Sequence, residues 1–91
     1  MARIDAEEFE DRQRELIFIA RTVREAARVE ALLTETGIDY AIAFEPFLHG
    51  GIFGVMTLTG LGFYVLSGQA LYCREVLKRH RLAVGVVEEF S

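Results

Sequence analysis

Tryptophan and asparagine are missing from this chain, and cysteine and proline occur once each. A single cysteine excludes an internal disulfide, an iron–sulfur cluster and a thiolate zinc site. One proline among eight glycines excludes a collagen-like or proline-rich chain. Basic residues are outnumbered: the formal charge is −4 and the isoelectric point is near 5.1, which argues against a general binder of nucleic acid or of anionic membranes. The largest gap is in charge itself. From Pro46 to Cys73, 28 consecutive residues include no Asp, Glu, Lys or Arg. Residues 1–45 carry 6 basic and 11 acidic groups, a net −5, and residues 74–91 carry 4 basic and 3 acidic groups, a net +1.

What is present fits one small domain. Ninety-one residues are too few for two cores, and 52% hydrophobic against 26% charged residues is too apolar for a disordered chain. Residues 1–14 form a charged leader, flexible or a short helix, in which Asp5 and Glu8 fit a capping box. The leader lacks the basic start and apolar middle of a signal peptide, so a cytoplasmic setting with a reduced thiol is expected. The domain then occupies residues 15–91.

Glu15–Ala20 is an apolar run suited to a buried strand. Thr22 and Glu25 make a capping box for a helix whose narrow apolar stripe runs through Val23, Ala26, Ala27, Glu30 and Leu33, widened by Val29 and Leu32, with Gly37 as its left-handed terminator. Alternation predicts a second strand over Ile38–Phe44, with Ile38, Tyr40, Ile42 and Phe44 on one face and Pro46 ending the ladder. Ile52–Leu58 reads as an irregular strand or loop and Gly62–Leu66 as a strand. Ser67 is placed as the N-cap of a helix over Gln69–His80, with Leu71, Cys73, Val76, Leu77 and His80 on one face. Ala83–Val87 reads as a last strand. The order β-α-β-β-α-β predicts an α+β, ferredoxin-like sandwich: an antiparallel sheet with two helices on one face.

The uncharged stretch is long enough to be a membrane-span candidate, but five glycines within Leu48–Leu66, together with His49, Thr57 and Thr59, suit strands and turns better. A small domain with so much apolar chain is expected to expose a patch and self-associate. Phe47, Leu48, Ile52, Phe53 and Met56 are the candidate interface. His49-Gly50-Gly51 is the candidate ligand-binding turn, since glycines let backbone N–H groups approach an anion beside an imidazole.

Catalytic motifs are absent. Neither serine, Ser67 or Ser91, has a histidine close in sequence, and Cys73 and His80 lie too far apart along a helix to share a metal ion. Glu30, Glu35, Asp39 and Glu45 read as solvated carboxylates. Acylphosphatases, which share the expected fold, need an asparagine that this chain lacks. Thr59-Gly60-Leu61-Gly62-Phe63 echoes an RNA-recognition motif without its basic residue or first stacking aromatic.

Ala20, Arg24-Glu25-Ala26, Leu32-Leu33 and Gly37-Ile38, followed by a second strand–helix unit at Gly62–Leu77, resemble a family of small bacterial proteins described as prokaryotic signal-transducing proteins. The resemblance spans roughly residues 15–83, and Ser67-Gly68-Gln69 departs from the Pro-acidic turn expected there. That family is similar in fold to the trimeric PII-like regulators, whose second and third strands carry an effector loop. The resemblance therefore implies a loop at residues 46–61, and no PII nucleotide-binding residue carries over.

The expected function is a non-enzymatic regulatory or protein-interaction module of PII-like type, a homodimer or homotrimer joined through sheet edges or the 46–61 segment. It would have a protein partner or small-molecule effector, and no nucleic acid, membrane, metal or cofactor. The alternative is a small-molecule or anion-binding protein, or an enzyme, with a cleft near His49-Gly50-Gly51.

Overall fold

The computed structural model describes residues 13–52 and 54–88, so the charged leader up to residue 12 lies outside the described residues. Strand β1 (Arg14–Ala20), helix α1 (Val23–Thr36), strands β2 (Ala41–Gly51) and β3 (Gly54–Leu66), and helix α2 (Ser67–Arg79) follow in order, and a 3-10 turn at Ala83–Gly85 comes last. β3 lies between β1 and β2 and runs antiparallel to both. β1 and β2 are therefore parallel to one another across β3, and α1 makes the crossover between them. The result is an α+β protein with a three-stranded antiparallel sheet and two helices.

The first strand–helix unit forms as its sequence dictates. The Thr22 hydroxyl accepts from the Glu25 N–H at 3.0 Å, filling one of the donors that a helix start leaves open. Gly37 stops the helix at φ 79°, and the Ile38 N–H returns to the Leu33 carbonyl at 3.0 Å. Ala26, Val29 and Leu33 are buried, whereas Val23, at the exposed mouth of the helix, is 82% accessible.

Both helices cover the sheet face that carries Phe18, Ala20, Ile42, Leu61, Phe63 and Val65. At its centre Phe18 meets Phe63 edge-on with ring centroids 6.3 Å apart, and Tyr40 lies 5.8 Å from Phe63. Tyr40 donates its hydroxyl to Glu30 at 2.8 Å, so this buried ring keeps a partner for its polar end, and Glu30 is not merely solvated.

α2 begins earlier than expected. Leu66 is its cap residue and Ser67 its first helical residue, without a side-chain cap bond. The N–H of Ser67 is instead satisfied by the carbonyl of Gln13 at 3.1 Å, which makes a hydroxyl cap superfluous. The buried stripe is Ala70, Cys73, Arg74, Val76 and Leu77; Leu71 and His80, expected on that face, are exposed.

The last segment, expected as a fourth strand over Ala83–Val87, is not one. Ala83–Gly85 turns in 3-10 geometry, and only Val86 bridges to Phe18, with the Val87 N–H reaching Ile17 at 2.8 Å. β1 slips register between Leu16 and Phe18, so the edge that a full strand would follow is irregular there. Arg74 fastens the segment instead. Its Nε donates to the Val87 carbonyl at 2.7 Å and an Nη to the Leu16 carbonyl at 3.2 Å. The other Nη sits 3.1 Å from Glu15 Oε2, an ionic contact without an aligned hydrogen bond.

The greatest departure concerns residues 46–61. They are not a loop. β2 continues through Pro46 to Gly51 and pairs with β3 along its whole length, Pro46 opposite Thr59 and Gly51 opposite Gly54. Proline is tolerated because β2 is an edge strand: its nitrogen faces away from the partner, where no N–H is needed.

Candidate functional site

β1 accompanies β3 only as far as Leu61, opposite Ala20. Past that point β2 and β3 continue alone for seven residue pairs, from Glu45–Gly60 to Gly51–Gly54, as a two-stranded ribbon roughly 20 Å long. A ribbon of two strands is marginal in water without something to pack on. This one packs little. Phe44 is 78%, Leu48 72%, Ile52 93%, Val55 70% and Met56 57% accessible. From Pro46 to Gly60 it has no charged side chain.

Register sorts its side chains. Phe44, Leu48, Val55, Thr57 and Thr59 continue the face that the helices cover lower down, beyond the helices' reach. Phe47, His49, Met56 and Leu58 lie on the opposite, open face with Glu45. Two polar contacts brace the foot of that open face. The Tyr64 hydroxyl donates to the Glu45 carboxylate, and the Arg21 guanidinium stands 5.4 Å above the Phe47 ring. Burial first, and then the bond to Glu45, pushes Tyr64 up to about 12. Glu45 is thus held by a partner rather than being a solvated edge carboxylate.

Two concavities flank the ribbon. At its foot, a hollow of about 340 Å³ lies between the start of α1 and β3, walled by Ala20, Arg21, Val23, Phe44, Gly60 and Leu61. At its tip, a hollow of about 360 Å³ is lined by His49, Gly51, Ile52, Gly54, Val55 and Met56.

The expected ligand turn falls at the outer end of the ribbon. His49, Gly50 and Gly51 pair with Met56, Val55 and Gly54, and all three are exposed. Leu48, Ile52 and Met56 of the expected interface are exposed; Phe47 is half-buried beneath Arg21, and Phe53 lies outside the described residues. Sequence reasoning missed Val23, Phe44, Val55 and Leu58. Carrying the alternation of β2 through Pro46 would have put Phe44, Leu48 and Gly50 on one face.

Elsewhere the chemistry is sparse. Cys73 is fully buried, and burial pushes its thiol up to about 11, far from the thiolate a nucleophile needs. Among the described residues no cluster of His, Cys, Asp or Glu could hold a metal ion, and no helix is long and apolar enough to cross a membrane.

The fold and site define a small α+β domain that projects an uncharged, apolar β-ribbon. Compared with known proteins, the chain matches no family model, no curated protein and no solved structure.

Proposed function

We infer that this chain is a non-enzymatic regulatory or protein-interaction module, working in the cytoplasm, whose ribbon is its contact surface and joins copies of the chain. One observation carries the reading: six ladder pairs, from Pro46–Thr59 to Gly51–Gly54, extend beyond β1 with large apolar side chains exposed and no charge to keep them in water. Contiguous apolar surface of this kind marks interaction sites. Charge is instead gathered on the sequence that flanks the ribbon on either side.

The strand order β1-β3-β2, with Val86 bridging to the outer side of β1, is what a ferredoxin-like sandwich would give if its fourth strand shrank to a single bridge. That order is compatible with the PII-like fold that we propose on the sequence resemblance. In that reading, the segment that carries the effector loop in the PII-like regulators is here a paired β-ribbon.

Sedimentation of the full chain between about 1 and 500 µM tests the reading. A mass of two or three chains is expected, and a single-chain mass throughout that range would end it. A thermal-shift panel of nucleotides, amino acids and anions addresses the alternative of a ligand site at His49-Gly50-Gly51: a large stabilisation by one compound would favour that binder.

A further inference from the structure

We propose that the ribbon pairs with the ribbon of a second copy through the free edge of β3, Gly54–Thr59, about a twofold axis at Thr57, and that Ile52 of each copy fills the hollow at the foot of the other. This rests on the self-association reading and specifies its geometry.

The two edges of the ribbon are not equivalent. On the β2 edge stands Pro46, which cannot donate to an added strand, and next to it Glu45. Both are features that discourage strand addition. The β3 edge beyond Gly60 has the sequence Gly-Val-Met-Thr-Leu-Thr, with neither proline nor charge and with high strand propensity. β1 does not cover it, since its pairing with β3 stops at Leu61.

Pro46 also sets which backbone groups that edge presents. Its nitrogen faces away from β3, so Thr59, directly opposite, turns its own N–H and C=O away from β2. By alternation Val55 and Thr57 do the same. Three consecutive outward-facing residues suit an antiparallel partner of identical sequence: Thr57 faces its own copy, and Val55 faces Thr59 of the other chain. Each such pair exchanges two backbone hydrogen bonds, about six in all. On the opposite face Met56 meets Leu58 of the second copy, so apolar side chains find apolar neighbours on both strands.

The tip and the foot then meet. Ile52 lies five residues to one side of Thr57 and Leu61 four to the other, about 17 and 14 Å along a strand. A twofold axis at Thr57 therefore brings the most exposed apolar side chain of one copy to the hollow walled by Val23, Phe44 and Leu61 of its partner. An isologous contact needs such a self-complementary pair.

The apolar area is of the order that a standard interface takes. At on the order of 100 Å² of apolar surface per large side chain, Val23, Phe44, Ile52, Val55, Met56 and Leu58 together offer roughly 400 Å² per copy. A standard interface takes about 800 Å² per partner, a little over half of it apolar, which is about 450 Å².

Thr57→Cys tests the axis. Facing residues of a hydrogen-bonded antiparallel pair lie about 5.5 Å apart at Cα, within the range a disulfide spans. With oxidised glutathione as the oxidant, Thr57→Cys is expected to give a covalent dimer, and Leu48→Cys, which does not lie on the β3 edge, is not. Ile52→Ser is expected to weaken association about 100-fold, since symmetry counts the lost contact twice, with an unchanged circular dichroism spectrum. A dimer that crosslinks through Leu48→Cys and not Thr57→Cys, or a trimer, overturns the geometry while self-association stands. A monomer at all concentrations overturns both.

Discussion

The ribbon is the outer half of two strands, β2 and β3, whose inner halves belong to the body, and the surroundings of the two halves could hardly differ more. Phe63 in the inner half of β3 is completely buried between Phe18, Tyr40 and the helices, while Val55 in the outer half is 70% accessible. The inner half draws its stability from burial, and the outer half, beyond the contacts of Glu45 and Phe47 at its foot, holds its conformation through ladder bonds. The body is thus self-sufficient, whereas the ribbon is stable in proportion to what it touches. Core truncation should separate the two most sharply. Phe63→Ala is expected to cost about 3–5 kcal/mol, for lost burial and a cavity the T-shaped ring pair leaves behind. Leu48→Ser should change the stability of the single chain by no more than about 0.5 kcal/mol, because this residue is already in water. Urea unfolding of both variants at a concentration low enough to exclude association makes the comparison. Similar losses in the two would show that the ribbon is part of the core.

The boundary between the body and its last segment gives the next effects. Arg74 is 4% accessible and holds Leu16, Val87 and Glu15 together. Its removal leaves two carbonyls and a largely buried carboxylate without their partner, and Arg74→Ala is expected to cost about 3 kcal/mol. Gly85 packs so closely on the Phe18 ring that an added Cβ would overlap it. Gly85→Ala should therefore cost about 2 kcal/mol, through displacement of the aromatic core rather than through any change in turn geometry. Denaturant titration reads both. If the segment were only draped over the body, neither substitution would shift the midpoint.

Much of the body was legible from the sequence, and the reasons are local. Thr22, Glu25 and Gly37 specify helix ends by short-range hydrogen bonds and a left-handed φ, and those signals stand at fixed offsets in the chain. Elsewhere the deciding partner is distant. Pro46 reads as a strand terminator until it is known that β2 is an edge, which depends on β3 lying between β1 and β2. Ser67 reads as a cap until the Gln13 carbonyl is found satisfying its N–H. Nothing local marks Arg74 for burial, and only the fold shows that two backbone carbonyls and Glu15 converge on it. At the ribbon, Leu48, Ile52 and Met56 could be singled out by their apolarity within an uncharged stretch. Val23 and Phe44 could not, because one belongs to a helix stripe and the other to a strand face that is buried a few residues earlier.

The two helix starts extend the contrast between local and distant signals to smaller energies. Thr22→Ala removes a side-chain cap bond and should cost about 1 kcal/mol, whereas Ser67→Ala removes none and should cost less than about 0.5 kcal/mol.

Alkaline pH offers the mildest probe, since it acts on groups in the body and at the foot of the ribbon and finds no charged group to titrate from Pro46 to Gly60. Tyr64 is raised from 10.0 to about 12, by burial and then by its bond to Glu45, and Cys73 from 9.0 to about 11, by burial. In both, the folded value lies above the unfolded one, so the neutral form is the one folding favours. Their contribution is whole below pH 9 and is lost as pH rises, between about 9 and 11 for Cys73 and between about 10 and 12 for Tyr64. The urea midpoint should accordingly hold level from pH 7 to 9 and decline above it. Tyr64→Phe should remove the upper part of that decline, because a phenyl ring has no proton to lose. Leu48→Ser should leave the whole profile unchanged in shape. A pH profile for Tyr64→Phe that matches the unsubstituted chain up to pH 12 would mean that the phenol at the foot of the ribbon ionises as it does in water, and that Glu45 does not hold it.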